Sequence, residues 1–230
     1  MEYYIVLIEI PDVINPQQLK SIQAVLKQAN FVDGKISAGD VAQNVKNNEE
    51  LVQDNSQQMQ SLNNILMGSL INNETYKAAV MMKKIGAPFL ARYRKGMGYG
   101  GHIDNPIMGQ MPNMYRTDVS TTIFLNDPDE YEGGDLVIVT KYGEHRARLK
   151  AGSAIVYPST SWHYVDEVTS GERLVCVTWA QSMIQDANKR EVLYELWQAR
   201  EKMLKENPDA EETQGVDVTY IKLVQMWADT

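Results

Sequence analysis

Between residues 85 and 183 the chain breaks into short runs of β-branched and aromatic residues, and this punctuation constrains the fold more than any other feature. APFLARYRKG, STTIFLND, GGDLVIVTKYG, EHRARLKAG, SAIVYPST, WHYVDEV and RLVCVTWAQS are separated by Gly, Pro, Asp and Asn. The intervals are about 8–12 residues, the signature of an antiparallel sandwich or barrel.

Helical spacing flanks that region. NPQQLKSIQAVLKQAN offers Asn15 as N-cap and Pro16 at the first helical position, with Leu19, Ile22, Val25 and Leu26 on one face. FVDGKISAGDVAQNVKNNEEL carries Gly34 and Gly39 among polar residues and reads as a loop with short extended pieces. Met59, Leu62, Ile65, Leu66 and Leu70 predict a helix, followed by a shorter one capped by Asn73 or Thr75. Beyond Met183, Leu193, Leu196, Trp197 and Leu204 share a face. After the acidic PDAEE, VTYIKLVQMWADT reads as a short helix. The expected class is mainly β with flanking helices (α+β). Residues 1–84 are read as N-terminal helical support, 85–183 as the barrel core and 184–230 as a C-terminal helical extension, all within one domain. That extension offers either a face packed on the barrel or an oligomer contact.

A formal net charge of -8 argues against a broad nucleic-acid surface. Cys176 is the only cysteine, so neither an intrachain disulfide nor a thiolate zinc cluster can form. YYIVLIEI lacks a basic leader and stops at Pro11, too short for a membrane span. It is read as an opening strand, in a chain expected to be soluble and cytoplasmic.

His102 and Asp104 lie two positions apart after a glycine-rich run, in a chain with three histidines. In extended backbone they point the same way. A second imidazole, His163 on another predicted strand, would complete a 2-His-1-carboxylate set, which favours non-haem Fe(II) because it leaves coordination positions open. A loop hydrogen bond within H-x-D is the alternative. Arg173 follows His163 by ten residues, across the turn TSGE, and could project from a neighbouring strand into the same interior. A buried guanidinium is costly without a carboxylate partner, and a carboxylate-bearing ligand would supply one. Pairing at the rim with Glu167 or Glu172 is the other reading.

H-x-D, a distant His and an Arg ten residues further on form the pattern of Fe(II)/2-oxoglutarate-dependent dioxygenases. Within that superfamily the chain resembles the PKHD-type hydroxylases, relatives of the prolyl 4-hydroxylase catalytic domain. The resemblance runs through FVDGKISAG…AQNVKNN, ARYRKGMGYGGHIDN, RTDVSTTIFLNDPDEYEGGDLVI, YGEHRARLKAGSAIVYPSTSWHYVDEVTSGER and WAQSMI. It implies a double-stranded β-helix, or jelly roll, backed by helices. It also implies that His102, Asp104 and His163 bind Fe(II), that Arg173 holds the C5 carboxylate of 2-oxoglutarate, and that Tyr93 hydrogen-bonds this cosubstrate. The implied activity is hydroxylation with O2 of a C–H bond, most directly a peptidyl proline or other protein side chain. 2-Oxoglutarate would leave as succinate and CO2, and ascorbate would act as reductant. Hydroxylation of a small-molecule metabolite is the rival within enzymes; a non-catalytic cupin-like metal-binding module is the rival outside them. Nucleic-acid demethylases of this superfamily are expected to carry a second arginine where this chain has Trp179.

Other residues carry two readings each. His145 is expected on the barrel surface rather than at a metal. NPIMGQMPNMY, with Pro106, Gly109 and Pro112, is either a substrate lid or an ordinary loop. Trp162 and Trp179 either shape a groove or pack the barrel. Asn105 and Arg116 either contact substrate or serve as caps and strand-end pairs.

Overall fold

The computed structural model describes residues 7–37, 42–52, 54 and 56–230. The predicted opening strand is described from its end, as β1 (Ile8–Ile10), and Gly39 lies outside the described residues. Two sheets face each other. The major sheet runs β1, β14 (Ala154–Pro158), β10 (Val119–Phe124), β16 (Val168–Ser182), β6 (Phe89–Arg94), β4 (Glu49–Leu51) and β2 (Phe31–Asp33). β5 (Met82–Ile85) and β11 (Tyr131–Gly133) also pair with β16. The minor sheet runs β13 (Gly143–Ala147), β12 (Leu136–Thr140), β15 (Trp162–Val165), β7 (Gly98–His102) and β3 (Lys46–Asn47). β8 (Ile107–Met108) and β9 (Tyr115–Arg116) form a separate ladder.

Alternation along the strands sorts the residues. On β16, Cys176 and Ala180 join an apolar cluster under the helices, while Arg173, Val177 and Trp179 line a cavity between the sheets. β10 does the same, with Val119 and Ile123 toward the helices and Thr122 toward the cavity. Its six residues are all buried, although three of them, Ser120, Thr121 and Thr122, carry hydroxyls.

The helices form where capping and apolar spacing direct. α1 (Pro16–Leu26) begins with a capping box between Asn15 and Gln18 and buries Ile22 and Leu26. α2 (Gln57–Asn72) starts at Ser56 and buries Met59, Leu62, Leu66 and Leu70 against the major sheet. Each such side chain contributes about 1.5–3 kcal/mol when fully buried. α3 (Glu74–Val80) is capped by Asn73. α4 (Ala187–Glu206) and α5 (Glu211–Trp227) form a hairpin docked through Leu193, Tyr220, Leu223 and Trp227 onto Met81 and Ile184.

The short extended pieces expected between Phe31 and Leu51 are β2, β3 and β4, and residues 46–51 cross from the minor sheet to the major one. Two features depart from the sequence expectation. α5 starts within the acidic stretch, where Glu211 and Glu212 in its first turn suit the positive end of the helix dipole. β15 and β16 are not hairpin neighbours: the chain passes between sheets, with β15 beside β12 and β7, and β16 beside β10 and β6. Arg173 therefore reaches His163's cavity from the opposing wall.

Candidate active site

His102 ends β7 and His163 lies on β15, directly opposite in the ladder. Their ring centroids are 4.3 Å apart. His102 Nδ1 is 2.9 Å from the Gly100 carbonyl and His163 Nδ1 is 3.0 Å from the Ser161 carbonyl. A carbonyl only accepts, so each Nδ1 carries a hydrogen, and in the neutral ring that leaves the lone pair on Nε2. Asp104 Oδ1 lies 3.9 Å from His102 Nε2 and 3.8 Å from His163 Nε2. The three ligand atoms fall within 4.8 Å of one another. Asp104 sits just past the end of β7, yet still faces the same side as His102.

Burial, reinforced by neighbouring His163, pulls the His102 pKa down to about 4, against the opposing pull of the Gly100 bond and Asp104. His102 is thus a neutral imidazole at neutral pH, the form a metal requires. Tyr99 stacks on it at 3.8 Å, with 18° between the planes. The Trp162 indole presses on β7 from outside: a Cβ on Gly101 would stand 2.5 Å from its Nε1, so only glycine fits there.

Arg173 occupies the other wall. It is 1% exposed, and its Nε has no hydrogen-bond partner. Its guanidinium carbon lies 5.0 Å from the Tyr93 ring centre and 5.6 Å from that of Phe124. Glu172 turns away to Arg94 at 3.4 Å and Arg92 at 3.7 Å, and Glu167 is exposed, so neither rim carboxylate pairs with Arg173. Burial raises the Tyr93 and Tyr131 pKa values while the Arg173 charge opposes it, leaving both as neutral phenols. The Tyr131 hydroxyl is buried without a partner.

The open space between these groups, counted together with the solvent at its mouth, is about 540 Å³. One end presents two imidazole nitrogens and a carboxylate oxygen. Arg173, on the opposing wall, presents a cation with no carboxylate beside it. The donor set fits a divalent iron ion with positions to spare. The guanidinium, its Nε unsatisfied and no carboxylate paired with it among the described residues, fits the far carboxylate of a dicarboxylic acid.

The remaining candidates are placed as follows. Trp179 lines the cavity, whereas Trp162 is half exposed outside it. His145 pairs with Glu9 at 3.2 Å, away from the triad. Arg116 is held by Asp118 at 2.6 Å, and the Asn105 backbone carbonyl accepts from Thr117 Oγ1 while the residue itself is exposed. Met111 and Met114 are exposed on the β8–β9 segment. Sequence reasoning missed Lys46 and Glu50, which form an ion pair at 2.5 Å on the cavity wall, and Tyr131 beside Arg173. It also missed Ser120, whose Oγ donates to Asp104 Oδ2 at 2.5 Å.

Residues 88–181 match the family model described as the 2OG-Fe(II) oxygenase superfamily. Fold and site together define an oxygenase of that class. The chain is 45% identical over 223 residues to a PKHD-type hydroxylase of Thioalkalivibrio sulfidiphilus, covering 97% of this chain and 99% of that one. It is 40% identical over 225 residues to a PKHD-type hydroxylase of Aliarcobacter butzleri, at 97% and 99% coverage. This protein belongs to the PKHD-type hydroxylase family. A prolyl-4-hydroxylase of Pseudomonas putida shares the fold, with a TM-score of 0.54 at 15% identity, covering 76% of this chain and 92% of that one. No helix among the described residues is long and apolar enough to cross a membrane.

Proposed function

We propose that this hydroxylase acts on a peptidyl proline or other protein side chain. His102, Asp104 and His163 hold Fe(II), and Arg173 holds the C5 carboxylate of 2-oxoglutarate. The observation that carries the reading is Arg173: a guanidinium this deeply buried, with Nε unsatisfied, shares one cavity with the three ligand atoms. Bound iron and 2-oxoglutarate would supply the oxidising chemistry that places one atom of O2 in a C–H bond and the other in succinate.

The protein's own groups do the rest. Both imidazoles are anchored through Nδ1 on backbone carbonyls, with Nε2 toward Asp104. Arg173 fixes the cosubstrate's far end in a bidentate grip, and Tyr93 offers a neutral phenol beside it. Leu136, Val165 and Val177 add apolar surface to the cavity wall. For the substrate, the support is a rim of exposed apolar residues that adjoin the ligands in sequence, Ile103 and Trp162, or lie on the β8–β9 segment that follows, Ile107, Met111 and Met114. Such a rim suits an extended chain better than a small polar metabolite.

Anaerobic titration with Fe(II) and 2-oxoglutarate should produce a weak metal-to-ligand charge-transfer band in the visible, absent in His163→Ala. Aerobic incubation with proline-containing peptides should then add one oxygen atom to a peptide in step with succinate. Iron binding without the band or decarboxylation would remove the enzyme assignment for this site. Decarboxylation stimulated only by free metabolites would move the substrate from peptides to small molecules.

A further inference from the structure

The two oxygens of Asp104 are not equivalent. Oδ1 faces both imidazoles, at 3.9 and 3.8 Å, whereas Oδ2 accepts from Ser120 Oγ at 2.5 Å. Ser120 is fully buried on β10, between Tyr157 of β14 and Trp179 of β16 in the ladders. Its Oγ also lies 2.8 Å from Ser159 Oγ, on a residue 2% exposed.

A serine hydroxyl has one hydrogen. The strongest acceptor within reach of Ser120 is the carboxylate, and 2.5 Å is the length of a charge-assisted O–H···O⁻ bond. Ser120 spends its hydrogen there, so its oxygen accepts from Ser159. The order of donation is Ser159 to Ser120 to Asp104 Oδ2, and bonds in such a chain strengthen one another in a dry interior.

We infer that Ser120, backed by Ser159, is a positioning residue that ties down one oxygen of Asp104, so that the carboxylate offers the metal a single oxygen. The inference rests on the metal-site reading above. A carboxylate with both oxygens free can swing to bind through both, taking a coordination position that cosubstrate or O2 needs. Three features of the fold hold the arrangement in place. Ser120 is on a central strand, Ser159 follows the end of β14, and Asp104 is tethered two residues beyond His102.

The test uses the full-length chain loaded with Co(II), whose visible absorption reports coordination number without turnover, and Mn(II) titration for affinity. Ser120→Ala should lower Mn(II) affinity by about 10–100-fold, the usual cost of losing an outer-shell partner. It should also change the Co(II) spectrum. Ser120→Thr, which keeps the hydroxyl, should restore both, and Ser159→Ala should give a smaller change in the same direction. A Ser120→Ala protein with wild-type affinity and spectrum would overturn the inference, as would a Ser120→Thr protein that melts like the wild type yet matches the alanine variant's spectrum. If Ser120→Ala does not fold, Ser159→Ala decides: an unchanged Co(II) spectrum there overturns the relay. Neither readout needs 2-oxoglutarate, so failure of the hydroxylase assignment would show separately, as no decarboxylation by a wild-type protein that still binds metal.

Discussion

Arg173 and Tyr93 are direct cross-strand partners on β16 and β6, and the guanidinium lies 5.0 Å from the centre of the phenol ring. The ring face offers the cation partial compensation where no carboxylate does. The pair is poised for a ligand and costly without one.

That cost can be measured. Arg173→Met should leave the ligand-free protein as stable as wild type, or more stable by up to about 4 kcal/mol, because a buried charge is replaced by an apolar side chain. The same variant should lose 2-oxoglutarate binding. Arg173→Lys keeps the charge but not the planar fork, and should weaken cosubstrate binding by roughly 10–100-fold. Denaturant unfolding and a cosubstrate titration together check the opposite signs; a strongly destabilised Arg173→Met would mean that the guanidinium is structural.

Gly134 supports the same side chain. Its φ is +67°, and a Cβ there would stand 3.1 Å from Arg173 Cδ and 2.8 Å from Val168 Cγ2. Gly134→Ala should destabilise the protein by about 2 kcal/mol, from the left-handed backbone and the crowding together. It should also raise the KM for 2-oxoglutarate by moving Arg173. Unfolding midpoints and steady-state kinetics in the same buffer give both numbers.

Arg190 plays a structural part that its charge conceals. It is 2% exposed and donates to the carbonyls of Ile184 at 2.7 Å, Gln185 at 2.9 Å and Asp118 at 3.3 Å. Arg190→Met should cost about 3 kcal/mol or more, since three carbonyls lose a donor that water cannot fully replace. Hydrogen exchange should show α4 loosening first, with metal affinity unchanged.

Cys176 is fully buried on the helix-facing side of β16, and burial pushes its thiol pKa far up. A disulfide reagent should find no reactive thiol in the native protein and one after unfolding. Reaction at the native rate of an exposed thiol would contradict the packing of β16 under the helices.

The convergence of His102, Asp104 and His163 was legible because its spacing is local. His102 and Asp104 sit at the two-residue period of extended chain, and few histidines compete for the third position. Arg173 was legible for its chemistry but not its route: the ten residues from His163 suggested a hairpin, whereas the chain changes sheets. Ser120 was not legible. In VSTTIF it looks like one polar residue of a buried strand, and its partners lie 16 and 39 residues away. Lys46 and Glu50 belong to KNNEE, which reads as solvated loop. Only the crossing from β3 to β4 turns their alternate positions inward. Helix starts at Asn15 and Asn73 could be read because capping is a local bond. The start of α5 could not, because an acidic tail and an acidic first turn look alike.

β16 carries Cys176 and Ala180 on one face and Arg173, Val177 and Trp179 on the other. Its alternation uncouples two kinds of variation. From Arg173 to Ala180, substitutions at even positions are screened by how well the helices seat, and those at odd positions by what the cavity will accept. A library confined to the odd positions of this one strand can retune ligand preference while the helical half of the molecule goes unchallenged.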